Sequence, residues 1–331
     1  MRVEPLCPDA VAQAASRIRP YITQTPLLKS GLLDGWLGHH IVFKVEGLQK
    51  IGAFKVRGAL NTLLALKEQR RLPEQVVAFS SGNHAQAVAY AARLLDVRAT
   101  VLIPRDASAV KRQATEAYGA RVIVTDDRNE AESRINEFTT KGAFLLHPYD
   151  SDSVIAGQGT ACYEALQTGL KPDAIFATCG GGGWLSGTFL AAGLSAPETP
   201  VFGAEPKQAN DAAQSLRRGE IVHLTESPDT IADGARTLSV SARTFHYLRQ
   251  LAGFYEIDER DIVYWTQWLI HLLKTTVEPT SAVAMAGAFE WLKHEPEPRN
   301  VLVMLSGGNI AASTQARVWA TDQLATPPRV R

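Results

Sequence analysis

Lys50-Ile51-Gly52-Ala53-Phe54-Lys55-Val56-Arg57-Gly58-Ala59 sets one lysine, Lys55, among apolar neighbours, with Gly52 and Gly58 on either side. A run of helix-forming residues, Ala59 to Leu66, follows directly. Two readings of Lys55 are open. In one the stem is buried and the ammonium snorkels to water. In the other the amine is desolvated, its pKa falls, and it becomes a nucleophile or Schiff-base former. The segment alone does not choose between them; the glycine-rich and polar turns elsewhere in the chain do.

Outward from this segment, short apolar runs alternate with amphipathic stretches. Strands are expected over 41–45, 76–79, 100–103, 121–125, 144–147, 174–178, 201–204, 254–257 and 301–305. Helices are expected over 9–22, 54–69, 84–95, 107–118, 129–140, 157–168 and 185–193, with a long helical region over 261–293. Strands alternating with helical stretches mean βαβ units and parallel-rich sheets, an α/β class. In such sheets ligands bind where strands end and helices begin.

Four turns carry unusual residues for that position. Thr178-Cys179-Gly180-Gly181-Gly182-Gly183-Trp184-Leu185-Ser186-Gly187 joins an apolar strand to a helix. It is either a tight turn or a phosphate cradle, since four glycines let backbone N–H groups approach an anion at a helix N-terminus. Neither a P-loop nor a dinucleotide fingerprint fits its spacing. Phe79-Ser80-Ser81-Gly82-Asn83-His84 offers a helix cap or, with five polar or glycine positions in a row, a nest for a carboxylate. Leu305-Ser306-Gly307-Gly308-Asn309 puts a hydroxyl at the end of the last strand, and Thr230-Ile231-Ala232-Asp233-Gly234-Ala235 is a loop without clear strand flanks. A lysine, a phosphate cradle, a carboxylate nest and a lone serine together suggest an aldehyde cofactor bearing a phosphate.

Composition narrows the setting. The 331 residues, 45% apolar and 21% charged, describe an ordinary globular chain large enough for two lobes. Lys+Arg and Asp+Glu balance at 34 each, so no nucleic-acid or membrane partner resting on net charge is expected. Cys7, Cys162 and Cys179 have no metal or disulfide spacing, and Met1 to Pro5 has no apolar signal core, which together suggest a cytoplasmic protein.

The Phe54-Lys55 segment, the Ser-Ser-Gly-Asn-His turn, the glycine tetrad and the terminal Ser-Gly-Gly-Asn resemble fold-type II pyridoxal-phosphate enzymes, specifically the serine/threonine dehydratase and serine racemase group. The resemblance runs in the family's order from about Pro26 to Ile310. It implies a two-lobed fold like that of the tryptophan synthase β chain, with residues 1–74 and 153–331 as a large cofactor-binding domain and 75–152 as a small one. It also implies that Lys55 forms the Schiff base and Phe54 lies against the ring. Asn83 then meets the ring hydroxyl, and Gly180, Gly181, Gly182, Gly183 and Trp184 hold the phosphate. Gly234 joins the cofactor site, and Ser306 faces the pyridine nitrogen. Ser80, Ser81, Gly82, Asn83 and His84 receive the substrate carboxylate. A neutral hydroxyl at Ser306 cannot keep the pyridine protonated, which suits loss of a β-leaving group.

By the same resemblance the reaction is an ammonia-lyase one, turning L-threonine, L-serine or a similar small β-hydroxy amino acid into a 2-oxo acid and ammonia in a homodimer. Serine racemase and 3-hydroxyaspartate dehydratase are the alternatives within the group. A non-catalytic phosphate-ligand binding protein is the alternative from another class. Ser81, where many dehydratases carry Ala, is a candidate second catalytic base on the ring face opposite Lys55. Glu205, Ala209 and Asp211 reproduce the group's spacing for a structural Mg²⁺ or Mn²⁺, although unaided the segment also reads as a plain helix start. Two departures stand out: Ala53 replaces the usual serine before the Phe-Lys pair, and Trp184 replaces a smaller aliphatic residue.

Overall fold

Among the described residues, ten strands form two sheets. The computed structural model describes residues 4–329 apart from Ser81, Asp106, Ser108 and Asp127, so the expectation for Ser81 lies outside the described residues. In chain order the strands are β1 (Leu27–Leu28), β2 (His40–Val45), β3 (Gln75–Phe79), β4 (Arg98–Pro104) and β5 (Arg121–Thr125), then β6 (Phe144–Leu145), β7 (Ala174–Thr178), β8 (Val201–Pro206), β9 (Gly253–Ile257) and β10 (Asn300–Leu305). The larger sheet runs β1-β2-β10-β7-β8-β9 and the smaller β5-β4-β3-β6. Every pairing is parallel except that of β1 with β2. The α/β class and parallel-rich sheets expected from the alternation are therefore present.

The larger sheet is covered on both faces, as parallel sheets must be. Phe43, Phe176 and Val303 point into one core with Trp265 and Met285, while Val42, Ile175 and Leu302 point into the other with Cys162 and Leu185. The helix Lys55–Glu68 sits at the junction. Its Leu60 and Leu63 pack with Val76 and Ala78 of the smaller sheet, and it also lies along the helix Asp152–Leu166 behind the larger one. No described helix is long and apolar enough to cross a membrane.

Local differences from the sequence reading have physical causes. The stretch 261–293 is two helices, Glu259–Leu273 and Pro279–Leu292. Lys274 turns left-handed at φ 54°, and Pro279, which has no N–H, starts the second helix. The first helix stops at Ile18 ahead of Pro20 and continues as a short 3₁₀ turn. The helix expected from 157 begins at Asp152. Gly157 and Gly159 lie inside it because neighbouring backbone leaves no room for a side chain: a Cβ on Gly159 would collide with the Gly187 carbonyl oxygen.

The Lys55 helix is pinned by a buried charge cluster. Arg57, fully buried, donates to Glu46 at 2.7 and 2.9 Å, to Glu164 at 2.8 and 2.9 Å, and to Thr160 at 3.2 Å. Lys44 donates to Glu164 and to the Thr25 carbonyl, both at 2.8 Å. Two cations and two anions thus share one cluster, with Arg57, Lys44 and Glu46 buried and Glu164 half-buried at its edge, and each is hydrogen-bonded. Breaking such a set from one side leaves charge stranded. Arg57→Met is expected to cost about 3–5 kcal/mol of unfolding free energy, read from urea denaturation; a loss under about 1 kcal/mol would contradict this account.

Candidate active site

A cavity of about 510 Å³ opens between the two sheets, at the carboxyl ends of their strands. Phe54, Lys55, Ser80, Gly82, Asn83, His84, Gly180, Gly181, Gly182, Gly183, Trp184, Gly234 and Ser306 all line it. Residues read from four separate turns thus meet around one space. The pairing of β2 with β10 explains part of this, because it sets Val45 beside Leu305 and so brings the turns that follow each strand together. Phe54 N–H then donates to the Ser306 carbonyl at 3.0 Å.

Lys55 is the first residue of its helix, and its amine donates to the Pro148 carbonyl at 3.0 Å. Burial pulls its pKa down to about 8, against the opposing charge of Glu278. The snorkelling alternative does not hold, since the half-buried side chain spends its amine on the Pro148 carbonyl in the cavity wall. Phe54 packs on Trp184 with ring centroids 4.1 Å apart and the planes tilted by 35°, forming an aromatic floor beside the amine.

Gly182 has φ +86°, a conformation costly for any other residue, and caps the helix Gly183–Ser195. A Cβ on Gly181 would collide with the Tyr149 ring. The tetrad therefore holds bare backbone against the cavity at a helix N-terminus, where free N–H groups and the helix dipole favour an anion. A phosphate-bearing cofactor fits this cradle and the amine opposite it.

At the second turn, Ser80 Oγ accepts from Gly82 N–H at 3.1 Å, and the helix Asn83–Leu94 begins there. The His84 ring turns away from the turn, with Nε2 2.8 Å from the Leu146 carbonyl, so its side chain is committed elsewhere. Burial and the Lys55 charge pull its pKa down to about 3. Asn83 Nδ2 donates to the Glu278 carboxylate at 3.0 and 3.1 Å. Asn309 donates to Asn83 Oδ1 at 2.9 Å. Ser306 Oγ lies 3.0 Å from Ser281 Oγ.

Glu278 was not found from sequence, because its surroundings read as one long helix; the adjacent Pro279 was the available signal. Lys111, which pairs with Asp233 at 2.5 Å on the cavity wall, was missed as well, and Asp233 was read only as part of its turn. Lys111 comes from an unremarkable amphipathic helix.

Glu205 and Asp211 lie behind the glycine loop, near Cys179, and do not line the cavity. Glu205 Oε2 and both Asp211 carboxyl oxygens are buried without hydrogen-bond partners. Burial pushes Asp211 up to about 7, and burial together with the Asp211 charge pushes Glu205 well up. Ala209 is buried beside them in chain order. Among the described residues no group of three or more His, Cys, Asp or Glu side chains could hold a metal. Any ion here would take the remaining ligands from backbone and water.

The family described as pyridoxal-phosphate dependent enzyme matches residues 18–307. L-threo-3-hydroxyaspartate ammonia-lyase of Saccharomyces cerevisiae is 42% identical over 91% of this chain and 92% of its own. Serine racemase of Schizosaccharomyces pombe is 39% identical over 91% and 94%. Among solved structures, the T.th. threonine deaminase is 41% identical with a TM-score of 0.85, over 92% of this chain and 99% of that one. Maize serine racemase is 36% identical with a TM-score of 0.88, over 96% and 98%.

The buried histidine gives a measurable linkage. Its native pKa lies below its ordinary value near 6.5, so between pH 6.5 and 3 the unfolded chain binds more protons. The stabilisation is fully present above pH 6.5 and is lost as the pH falls. His84→Gln, whose amide can still donate to the Leu146 carbonyl, is expected to flatten the fall in stability below pH 6.5 by up to about 1.4 kcal/mol per pH unit. Urea titrations at pH 6.5 and 4.5 measure it, and equal slopes for both proteins would refute the assignment.

Proposed function

The chain belongs to the pyridoxal-phosphate dependent enzymes, in the serine/threonine dehydratase and serine racemase group, and we propose that it removes ammonia from a small β-hydroxy amino acid to leave a 2-oxo acid. The observation that carries this reading is the desolvated Lys55 amine sharing one cavity with a glycine cradle and with Ser306, the residue that follows β10. Family membership sets aside the non-catalytic phosphate-binding protein.

When bound, the cofactor supplies an electrophilic carbon for an amine and an electron sink for the substrate α-carbon. The chain's own residues would do the rest. Gly180 to Gly183 and Trp184 would offer backbone N–H groups to the phosphate, with Gly234 closing beside Gly180. Phe54 would lie under the ring, Asn83 would face its hydroxyl, and Ser306 would give its nitrogen a neutral partner. The N–H groups at the start of the Asn83–Leu94 helix, with Ser80, would hold the α-carboxylate. Lys55, neutral often enough near its pKa of about 8, would act as nucleophile and then take the α-proton. The α-proton and the Cβ hydroxyl would together leave as water; the resulting enamine would gain a proton at Cβ to become an imine, and addition of water at its Cα would release ammonia and the 2-oxo acid.

Racemisation is the second reading, favoured by relatives named as serine racemases; Ser81 would serve as the base on the far face. For Glu205, Ala209 and Asp211 the proposal is a structural Mg²⁺ or Mn²⁺, supported by Glu205 Oε2 and the Asp211 carboxyl oxygens, which are buried without a full hydrogen bond. A cytoplasmic homodimer without a nucleic-acid partner completes the reading.

Purified protein supplied with pyridoxal phosphate is expected to show the visible absorbance of the bound cofactor. It should release 2-oxo acid from at least one of L-serine, L-threonine and L-threo-3-hydroxyaspartate. Lys55→Ala should lose that absorbance and reduce turnover roughly 10²–10⁴-fold. Chiral analysis of the L-serine reaction tests racemisation, which Ser81→Ala should abolish; no D-serine from the unaltered enzyme removes that reading. A colourless protein that releases no 2-oxo acid from any of the three would overturn the main one.

Chelation should lower both melting temperature and turnover, Mg²⁺ should restore them, and Asp211→Ala should abolish the response. Unchanged melting with no metal found in untreated protein would dismiss the ion.

A further inference from the structure

Glu278 is a buried acid of the cavity with no part in the steps above. It ends the linker between the helices Glu259–Leu273 and Pro279–Leu292 and stands at the N-cap of the second. An acid there often caps the helix with its side chain, but this one makes no such bond. Its carboxylate instead turns into the cavity and accepts from Asn83 Nδ2. The neighbouring chain makes room for it, since a Cβ on Gly307 would lie 2.5 Å from Glu278 Oε1. Backbone locks the same spot, with Glu278 N–H donating to the Gly307 carbonyl at 3.2 Å. The acid is therefore held between Asn83 and the turn that carries Ser306.

The hydrogen bonds also fix which way the Asn83 amide faces. Asn309 Nδ2 donates to the Ile51 carbonyl at 2.7 Å and to Asn83 Oδ1 at 2.9 Å. With its oxygen so engaged, Asn83 must turn its Nδ2 toward Glu278, and an ionised carboxylate can only accept. Nδ2 carries two N–H donors and stands on the cavity wall, so it can serve a ligand as well as the acid. Glu278 and Lys55 line the same cavity, where water screens little, and the negative charge of the acid favours the protonated form of the lysine. Burial pushes the Glu278 pKa up to about 7, opposed by the Lys111 charge, so this influence changes across the neutral range.

We propose that Glu278 is a positioning residue for the cofactor, orienting the Asn83 amide toward the ring and holding a proton on the nitrogen that Lys55 contributes. This rests on the cavity being the pyridoxal-phosphate site. Two effects follow, and they separate. Orientation passes through the Asn309–Asn83–Glu278 chain, whereas the charge effect belongs to the acid alone.

The test is a pH titration of the visible absorbance together with the dissociation constant for pyridoxal phosphate, in unaltered enzyme, Glu278→Gln and Asn309→Ala. Glu278→Gln keeps size and an acceptor for Asn83 but removes the charge, so its titration midpoint should fall by about half a pH unit or more. Asn309→Ala frees the amide without touching the acid. Its dissociation constant should rise roughly threefold to tenfold with the midpoint unmoved. A Glu278→Gln midpoint equal to that of the unaltered enzyme overturns the proposal, and so does an equal shift in Asn309→Ala. Should either variant lack a cooperative melt, Glu278→Asp keeps the charge on a shorter arm. Weaker binding at an unmoved midpoint then supports the proposal, and wild-type binding overturns it. If the unaltered enzyme gains no visible absorbance with pyridoxal phosphate, the site reading itself fails; absorbance that the variants leave unchanged rejects only the role of Glu278.

Discussion

Arg57 is the constraint on which the geometry of this protein rests. It lies two residues beyond Lys55, fully buried, and its guanidinium is shared between Glu46 from the turn after β2 and Glu164 from the helix behind the larger sheet. The planar fork of an arginine fixes direction as well as distance. The first turn of the Lys55 helix can therefore neither slide nor rotate without parting charges in a dry interior. A replacement set of well-packed apolar residues could match its stability, but it would not specify where the helix starts. The position of the reactive amine follows from that specification.

Around the amine, a low-dielectric environment is balanced by a few placed charges. Lys55 is desolvated, His84 stays uncharged, and Glu278 and Lys111 oppose one another within the same wall. The buried thiols take no part. Burial pushes Cys162 to about 12 and Cys179 well up, so neither supplies a thiolate. Among the described residues of the site, Lys55 is the activated nucleophile, and the glycine loop offers backbone for binding an anion. That division suits a cofactor carrying a phosphate, because N–H groups hold charge without adding a competing amine.

Much of this was legible in the sequence. Alternating apolar runs gave the parallel sheets, and the four turns gave most of the cavity, because strand-to-helix turns with glycine and small polar residues carry their function in their local composition. What stayed hidden depends on tertiary placement. Glu278 sits between two helices that read as one, and only Pro279 marked the break. Lys111 and Asp233 come from separate elements and gain meaning only when the two sheets face each other. His84 was expected in the carboxylate nest by its place in the turn, and that its ring meets the Leu146 carbonyl depends on tertiary placement. Gly157 looked like a helix start, because a glycine at a close helix–helix contact leaves the same mark on a sequence as a boundary.

The place of β10 between β2 and β7 has a consequence for how the molecule comes into being. The strand just before the lysine segment pairs with one roughly 260 residues later, and the turn after that late strand supplies Ser306 and Asn309. Until β10 is synthesised and inserted, the larger sheet has a gap at its centre, with β2 and β7 each missing a neighbour. Insertion of a central parallel strand from the far end of a chain is a late, high-contact-order event. A truncated or stalled chain would hold the amine and the glycine loop but lack the element that sets them against each other. Gain of the cofactor's colour would then mark completion of the nascent fold, a chemical signal that the last strand has entered.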